Sequence, residues 1–157
     1  MKLNPLHTTS SLLALLLSFS PSATTLAAAA AAAGNTTATT LATFDTAYDD
    51  ASLSLSTVTC SNGENGLVTK GYNTIGDLPT KNVGGSLTIK GWNDPNCGAC
   101  YSLSYKNETV YVLAIDVAIS QFNVAQKVLD QLTHGHAQEF GSVEVEYEKV
   151  DGEKCGL

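Results

Sequence analysis

Four cysteines, Cys60, Cys97, Cys100 and Cys155, follow an N-terminal leader, and the leader decides what they can be. Cys97-Gly98-Ala99-Cys100 has a spacing that, in a reducing compartment, marks zinc binding or thiol exchange. In an exported chain an even cysteine count marks a disulfide frame instead. Lys2 is the only charged residue before Asp45, and it precedes the apolar run Leu12 to Leu17. That run is well short of the roughly 20 apolar residues that cross a bilayer. Ser18, Ser20 and Pro21 then interrupt it. A positive start, a short apolar stretch and small residues after it make a secretory signal. Residues 1–27 therefore read as a signal peptide, with several cut sites open between Ala23 and Ala33. Residues 28–43, mostly Ala, Thr and Gly, read as a low-complexity tail, and residues 44–157 as one folded domain.

Charge narrows the partners. The net charge is −7, there is no arginine, and the lysines beyond the leader are scattered. Nucleic acid requires a basic face that displaces counterions from phosphates, so nucleic acid and anionic membranes are excluded as expected partners. No later stretch is long and apolar enough to span a bilayer. A neutral ligand such as a polysaccharide fits better. His134-Gly135-His136 lacks a third ligand nearby and reads as a solvated loop, so neither metal nor cofactor is expected.

Several segments alternate with period two, the mark of strands with one buried and one wet face. These are Leu53 to Val58, Tyr101 to Tyr105, and Val143 to Tyr147, whose wet row is Glu144, Glu146 and Glu148. Val110 to Ile115 is apolar on both faces and reads as a central strand. Ser86 to Lys90 and Gly66 to Thr69 are shorter strand candidates. Phe122, Ala125, Leu129 and Leu132 share a helical face, which predicts a helix over Asn123–Leu132. Asn123 would cap it in a box with Gln126, and Gly135 would stop it. Asn62-Gly63, Asn65-Gly66, Gly84-Gly85 and Asn93-Asp94-Pro95 are turn signals. Short strands, frequent turns and one helix predict a small closed barrel. Asn35 and Asn107 lie in N-glycosylation acceptor triplets.

Four cysteines allow three pairings. A Cys97–Cys100 bridge closes a very small ring, whereas two long loops would each contribute roughly 4 kcal/mol through unfolded-chain entropy. This favours Cys60–Cys97 with Cys100–Cys155, or the crossed alternative.

The segments Cys60-Ser61-Asn62-Gly63, Gly66 to Tyr72, Asn96 to Tyr101, Leu113 to Asp116, Phe122 to Ala125 and Cys155-Gly156-Leu157 together resemble the cerato-platanins. These are small secreted fungal proteins. The resemblance implies a mainly β fold, a six-stranded double-psi β-barrel with one or two short helices. It implies the disulfides Cys60–Cys97 and Cys100–Cys155. It also implies a non-catalytic protein of the cell wall that binds chitin or N-acetylglucosamine oligomers in a shallow groove. Expansin-like loosening, self-assembly at interfaces and recognition by a plant receptor belong to the same picture.

Asp116, ending an apolar strand, leads the candidate binding residues, with capping of a following turn as its competing role. Asn123 could bond a sugar hydroxyl or cap the helix. Ser61, Asn62 and Gly71 match a groove-lining segment, although Gly71 reads better as turn chemistry. Tyr48 and Asp49 could form another wall. Trp92 beside a turn reads as a partly buried anchor, with stacking of Trp92 or Tyr72 on a sugar ring as the second reading. Inverting hydrolysis needs a second carboxylate roughly 6.5–9.5 Å from the first. Asp45, Asp49, Asp50, Asp77 and Asp94 are available, but none sits in a motif that marks it as the partner. No catalytic residue is therefore assigned. The alternatives are a weak endoglucanase-like hydrolase and a surface-active wall protein without a specific ligand.

Overall fold

The computed structural model describes residues 37–157. The signal peptide and the Asn35 triplet lie outside the described residues. Six strands close into a barrel: β1 (Ala38–Asp45), β2 (Val83–Ser86), β3 (Cys100–Tyr105), β4 (Glu108–Val117), β5 (Phe122–Ala125) and β6 (Ser142–Val150). The order around the barrel is β1-β5-β2-β4-β3-β6. The β1–β5 and β2–β4 pairs are parallel, and the other four are antiparallel. Two helices, α1 (Gln126–Thr133) and α2 (Ala137–Phe140), connect β5 to β6.

The alternating segments behave as their pattern requires. In β6, Val143 and Val145 are buried while Glu144 and Glu146 are exposed. In β4, Val112 to Ile115 are buried on both sides because α1 covers part of the strand. Phe122 stands between two tyrosines edge-on, with ring centroids 5.4 Å from Tyr101 and 5.2 Å from Tyr147. Three strands thus meet in one aromatic cluster, a favoured geometry for ring quadrupoles. The Tyr101 hydroxyl pairs with Thr88 Oγ1 at 2.7 Å, which satisfies its polar end.

The disulfides are Cys60–Cys97 and Cys100–Cys155. Of the two pairings left open by loop entropy, the structure forms this one and not the crossed alternative.

Five local expectations are corrected. Leu53 to Val58 is not a strand: Leu55–Thr57 forms a 3-10 turn, with Ser54 bridging Thr74. The buried residues are Leu55 and Val58, three apart, which is the spacing of a turn and not of a strand. Gly66 to Thr69 is a run of turns. The strand expected at Ser86 to Lys90 lies earlier, at Val83–Ser86, and includes Gly84-Gly85, which the sequence marks as a turn. A Cβ on Gly84 would stand 2.6 Å from the Asn123 carbonyl oxygen, so the pair permits close strand approach. The helix begins at Gln126, not Asn123. Residues 122–125 are extended because their backbone pairs with β1 and β2. Finally, β1 starts at Ala38, inside the stretch read as a low-complexity tail. Its threonines suit a strand, and β5 and β6 supply its hydrogen bonds.

Candidate functional site

One register row carries the polar residues of interest across four adjacent strands. Thr43 of β1 pairs with Asn123 of β5, Asn123 with Gly85 of β2, and Gly85 with Asp116 of β4. Phe122 and Val124, on either side of Asn123, are buried, so Asn123 faces outward. With strands roughly 4.8 Å apart, Asn123 and Asp116 stand about 10 Å from each other. Gly85 puts no side chain between them. A Cβ there would meet the Val117 carbonyl oxygen at 2.9 Å, at a register shift between Gly84 and Gly85. Gly85 is itself buried, with Val117 and Ala118 packed against it, and the amide and the carboxylate flank this contact as the two polar walls of the candidate trough.

Asp116 is held by three donors. The Tyr48 hydroxyl donates to Oδ2 at 3.1 Å, and the Thr59 and Val117 N–H groups donate to Oδ1 at 2.9 and 2.8 Å. A carboxylate has about four acceptor sites, so about one remains for a ligand hydroxyl. Tyr48 sits in the 3-10 turn Thr46–Asp49 after β1 and is buried. Burial pushes its hydroxyl well above the ordinary tyrosine range, and the nearby charges of Asp116 and Asp45 add to the shift. Asn123 accepts the Thr43 hydroxyl at Oδ1, 3.1 Å away, and Gln121 Nε2 donates to Thr43 at 2.9 Å. The Asn123 Nδ2 group has no hydrogen-bond partner among the described residues.

Ser61 and Asn62 follow Thr59, whose N–H is bonded to Asp116. Cys60 N–H donates to the Ile115 carbonyl at 3.2 Å, which lays residues 59–61 along the end of β4. The Ser61 carbonyl accepts from Val68 N–H at 2.8 Å. Asn62 Oδ1 accepts from the Trp92 indole at 2.6 Å. Trp92 is 64 % exposed, so the partly buried anchor is overturned: its nitrogen is tied but its ring is in solvent. Gly71 lies exposed in a turn, and a Cβ there would touch nothing within 4 Å.

Asp49 has a different task. Its Oδ2 accepts from Gln126 N–H at 2.7 Å and its Oδ1 from Lys127 N–H at 3.3 Å, with Lys127 Nζ 3.8 Å away. It caps α1 from a distant turn and satisfies donors that helix geometry leaves open. The other carboxylates weighed as partners of Asp116 close local turns. Asp45 accepts from Ala47, Asp50 from Ser52, Asp77 from Asn73 and Thr74, and Asp94 from Lys90 and Asn96. His134 and His136 are exposed and face Glu108 and Glu139.

Thr43 and Gln121 carry no site signal in the sequence, and Gly85 reads there only as part of a turn. For Gly85 a signal existed, since glycine inside a strand often marks a close approach to backbone or ligand. For Thr43 there was none, because its strand was not recognised.

The fold and the polar row define a small disulfide-braced β-barrel with a shallow open site on its outer wall. The cerato-platanin family's sequence model matches residues 40–157, so the chain belongs to the cerato-platanin family. It is 51 % identical over 121 residues to a heat-stable 19 kDa antigen of Coccidioides immitis, covering 76 % of this chain and 83 % of the antigen. The crystal structure of cerato-platanin 3 from M. perniciosa superposes with a TM-score of 0.74 at 41 % identity, over 76 % of this chain and all of that one. The solution structure of the fungal elicitor cerato-platanin gives a TM-score of 0.67 at 34 % identity, over 74 % and 96 % of the two chains.

Proposed function

We propose that this protein is secreted to the fungal cell wall and binds chitin or N-acetylglucosamine oligomers in the Asn123–Gly85–Asp116 trough without cleaving them. The observation that carries the reading is the polar row itself: an amide N–H without a hydrogen-bond partner among the described residues and a partly committed carboxylate, about 10 Å apart across Gly85. Such a surface offers a donor and an acceptor to hydroxyl and acetamido groups and presents no basic cluster to an anion. Binding without turnover is supported by the engagement of Asp45, Asp50, Asp77 and Asp94 in local turns and of Asp49 in a helix cap. The likeness to a protein described as a fungal elicitor supports recognition by a plant receptor as a further role. Titration with chitin oligomers, followed through amide chemical shifts, tests the reading. Saturable shifts at Asp116, Asn123 and Ser61 are expected, and their absence refutes it.

Two other readings each have one observation in their favour. Asp45 acts on the same Tyr48 hydroxyl as Asp116, which makes it the second carboxylate to test for a hydrolase. Release of reducing ends, lost in both Asp45→Ala and Asp116→Ala, would favour that activity. Ile119, 93 % exposed, stands with exposed Val117 beside the trough and favours adsorption at interfaces or self-assembly. Film formation without saturable sugar binding would select it.

A further inference from the structure

Trp92 is the one tryptophan of the chain, and the residue is 64 % exposed. A freely moving loop would explain such exposure, but this loop is tied at several points. Cys60–Cys97 joins it to residues 59–66. Asn65 donates twice across the same gap, its backbone N–H to Asn93 Oδ1 and its Nδ2 to the Asn93 carbonyl, both at 2.9 Å. A Cβ on Gly63 would stand 2.6 Å from Asn93 Oδ1, so the two loops are in direct contact. Trp92 Nε1 then donates to Asn62 Oδ1 at 2.6 Å. The indole is therefore anchored by its polar edge while much of its apolar surface stays in water. Leaving that surface wet forgoes roughly 25 cal/mol for each Å² of apolar area. A ligand that covers the ring recovers this at little ordering cost, because the platform is already fixed.

The same loop connects the platform to the trough. Thr59 N–H is bonded to Asp116, and Asn62 lies three residues further, at most about 10 Å along the chain. The indole is held by the neutral amide of Asn62, the amides of Asn65 and Asn93 pair beside it, and Lys90 and Asp94 of the same loop are engaged in bonds within that loop. The amides suit a neutral, hydroxyl-rich and acetamido-bearing ligand. We propose that Trp92, positioned by Asn62, is a stacking subsite for a pyranose ring of an oligosaccharide that also occupies the Asp116 trough. This rests on the carbohydrate reading above and extends the site beyond the residues that reading uses. In it Trp92 touches the sugar, and Asn62 is a positioning residue that acts through the indole.

The lone tryptophan makes the test direct, because emission from the protein reports on Trp92 alone. Chitin oligomers from dimer to hexamer are titrated while emission and amide shifts are recorded on the same samples. For the longer oligomers, the Trp92 emission change and the Asp116 shifts should share one binding constant. Trp92→Ala should weaken the hexamer about ten-fold, an order typical of losing one well-packed aromatic contact. It should leave the dimer much less affected, and Trp92→Tyr should recover part of the loss. Asn62→Ala should raise the rotational freedom of the indole, seen as lower emission anisotropy, and weaken the hexamer in parallel. Asp116 shifts with unchanged Trp92 emission, and a Trp92→Ala hexamer affinity equal to that of the native protein, would overturn the subsite and leave the trough intact. No shift at either place with any oligomer would overturn both. An emission change that follows protein concentration without sugar would also overturn the subsite and assign Trp92 to self-association.

Discussion

Tyr48 shows how a single buried hydroxyl can link a candidate binding residue to the stability of the fold. It donates to Asp116, and burial together with two carboxylates holds its proton on. A proton held more tightly in the folded chain contributes stability that is present below the unfolded tyrosine value and lost as pH rises past it. Stability should therefore fall as pH climbs above about 10, the ordinary tyrosine value. Tyr48→Phe should make that fall shallower and cost about 1–2 kcal/mol near neutrality, since it removes a hydrogen bond to a charged acceptor. Denaturant unfolding at a series of pH values checks both halves of this expectation. A variant as steep as the native protein above pH 10 would show that Tyr48 does not carry the alkaline limb.

Two positions determine how whole elements are placed. Asp49 reaches the first turn of α1 from the turn after β1, and the helix has no side-chain cap of its own at Ala125. Asp49→Ala should cost about 1 kcal/mol, as loss of a good cap does, measurable as a lowered unfolding midpoint. Its hydrogen-exchange signature should be concentrated in residues 126–129. Gly85 is the second position. The added methyl of Gly85→Ala would have to displace the backbone at Val117, for a cost of about 1–3 kcal/mol in strain. Amide shifts at Asp116 and Val117 should move with the melting temperature, because the same strand end carries both. An unperturbed Asp116 in that variant would mean that the trough does not depend on a bare β2.

For the molecule as a whole, the two disulfides span 37 and 55 residues of sequence. Each long loop contributes about 4 kcal/mol through restriction of the unfolded chain. Replacing both Cys60 and Cys97 by Ala should lower stability by about that amount in denaturant unfolding. It should also loosen the loop that carries Trp92, because the bridge joins it to residues 59–66. The barrel itself should survive, since Cys60 and Cys97 lie outside β1 to β6, whose mutual pairing closes it. Loss of all β-sheet signal in this variant would show instead that the bridge is required for closure.

Much of the barrel was legible from residue order alone. Period-two alternation located β3 and β6, a run apolar on both faces located β4, and the cysteine count behind a leader implied a disulfide frame. Local pattern records which face is buried, and these strands bury faces in a regular way. Asp116 at the end of β4 was legible for the same reason. The remainder depended on partners distant in sequence. β1 carries little hydrophobic signal and is a strand because β5 and β6 pair with it. Residues 122–125 have a helical face in sequence, yet two neighbouring strands claim their backbone hydrogen bonds. Asp49 caps a helix 77 residues away, and Asn62 holds an indole 30 residues away. The four cysteines, which by themselves permitted three pairings, became two braces only once the barrel had set their directions. Sequence determined which residues seek burial and which seek water, because that preference is local. Tertiary structure decided which backbone groups meet and which side chains share the trough, because hydrogen bonds are satisfied by whatever the fold brings within reach.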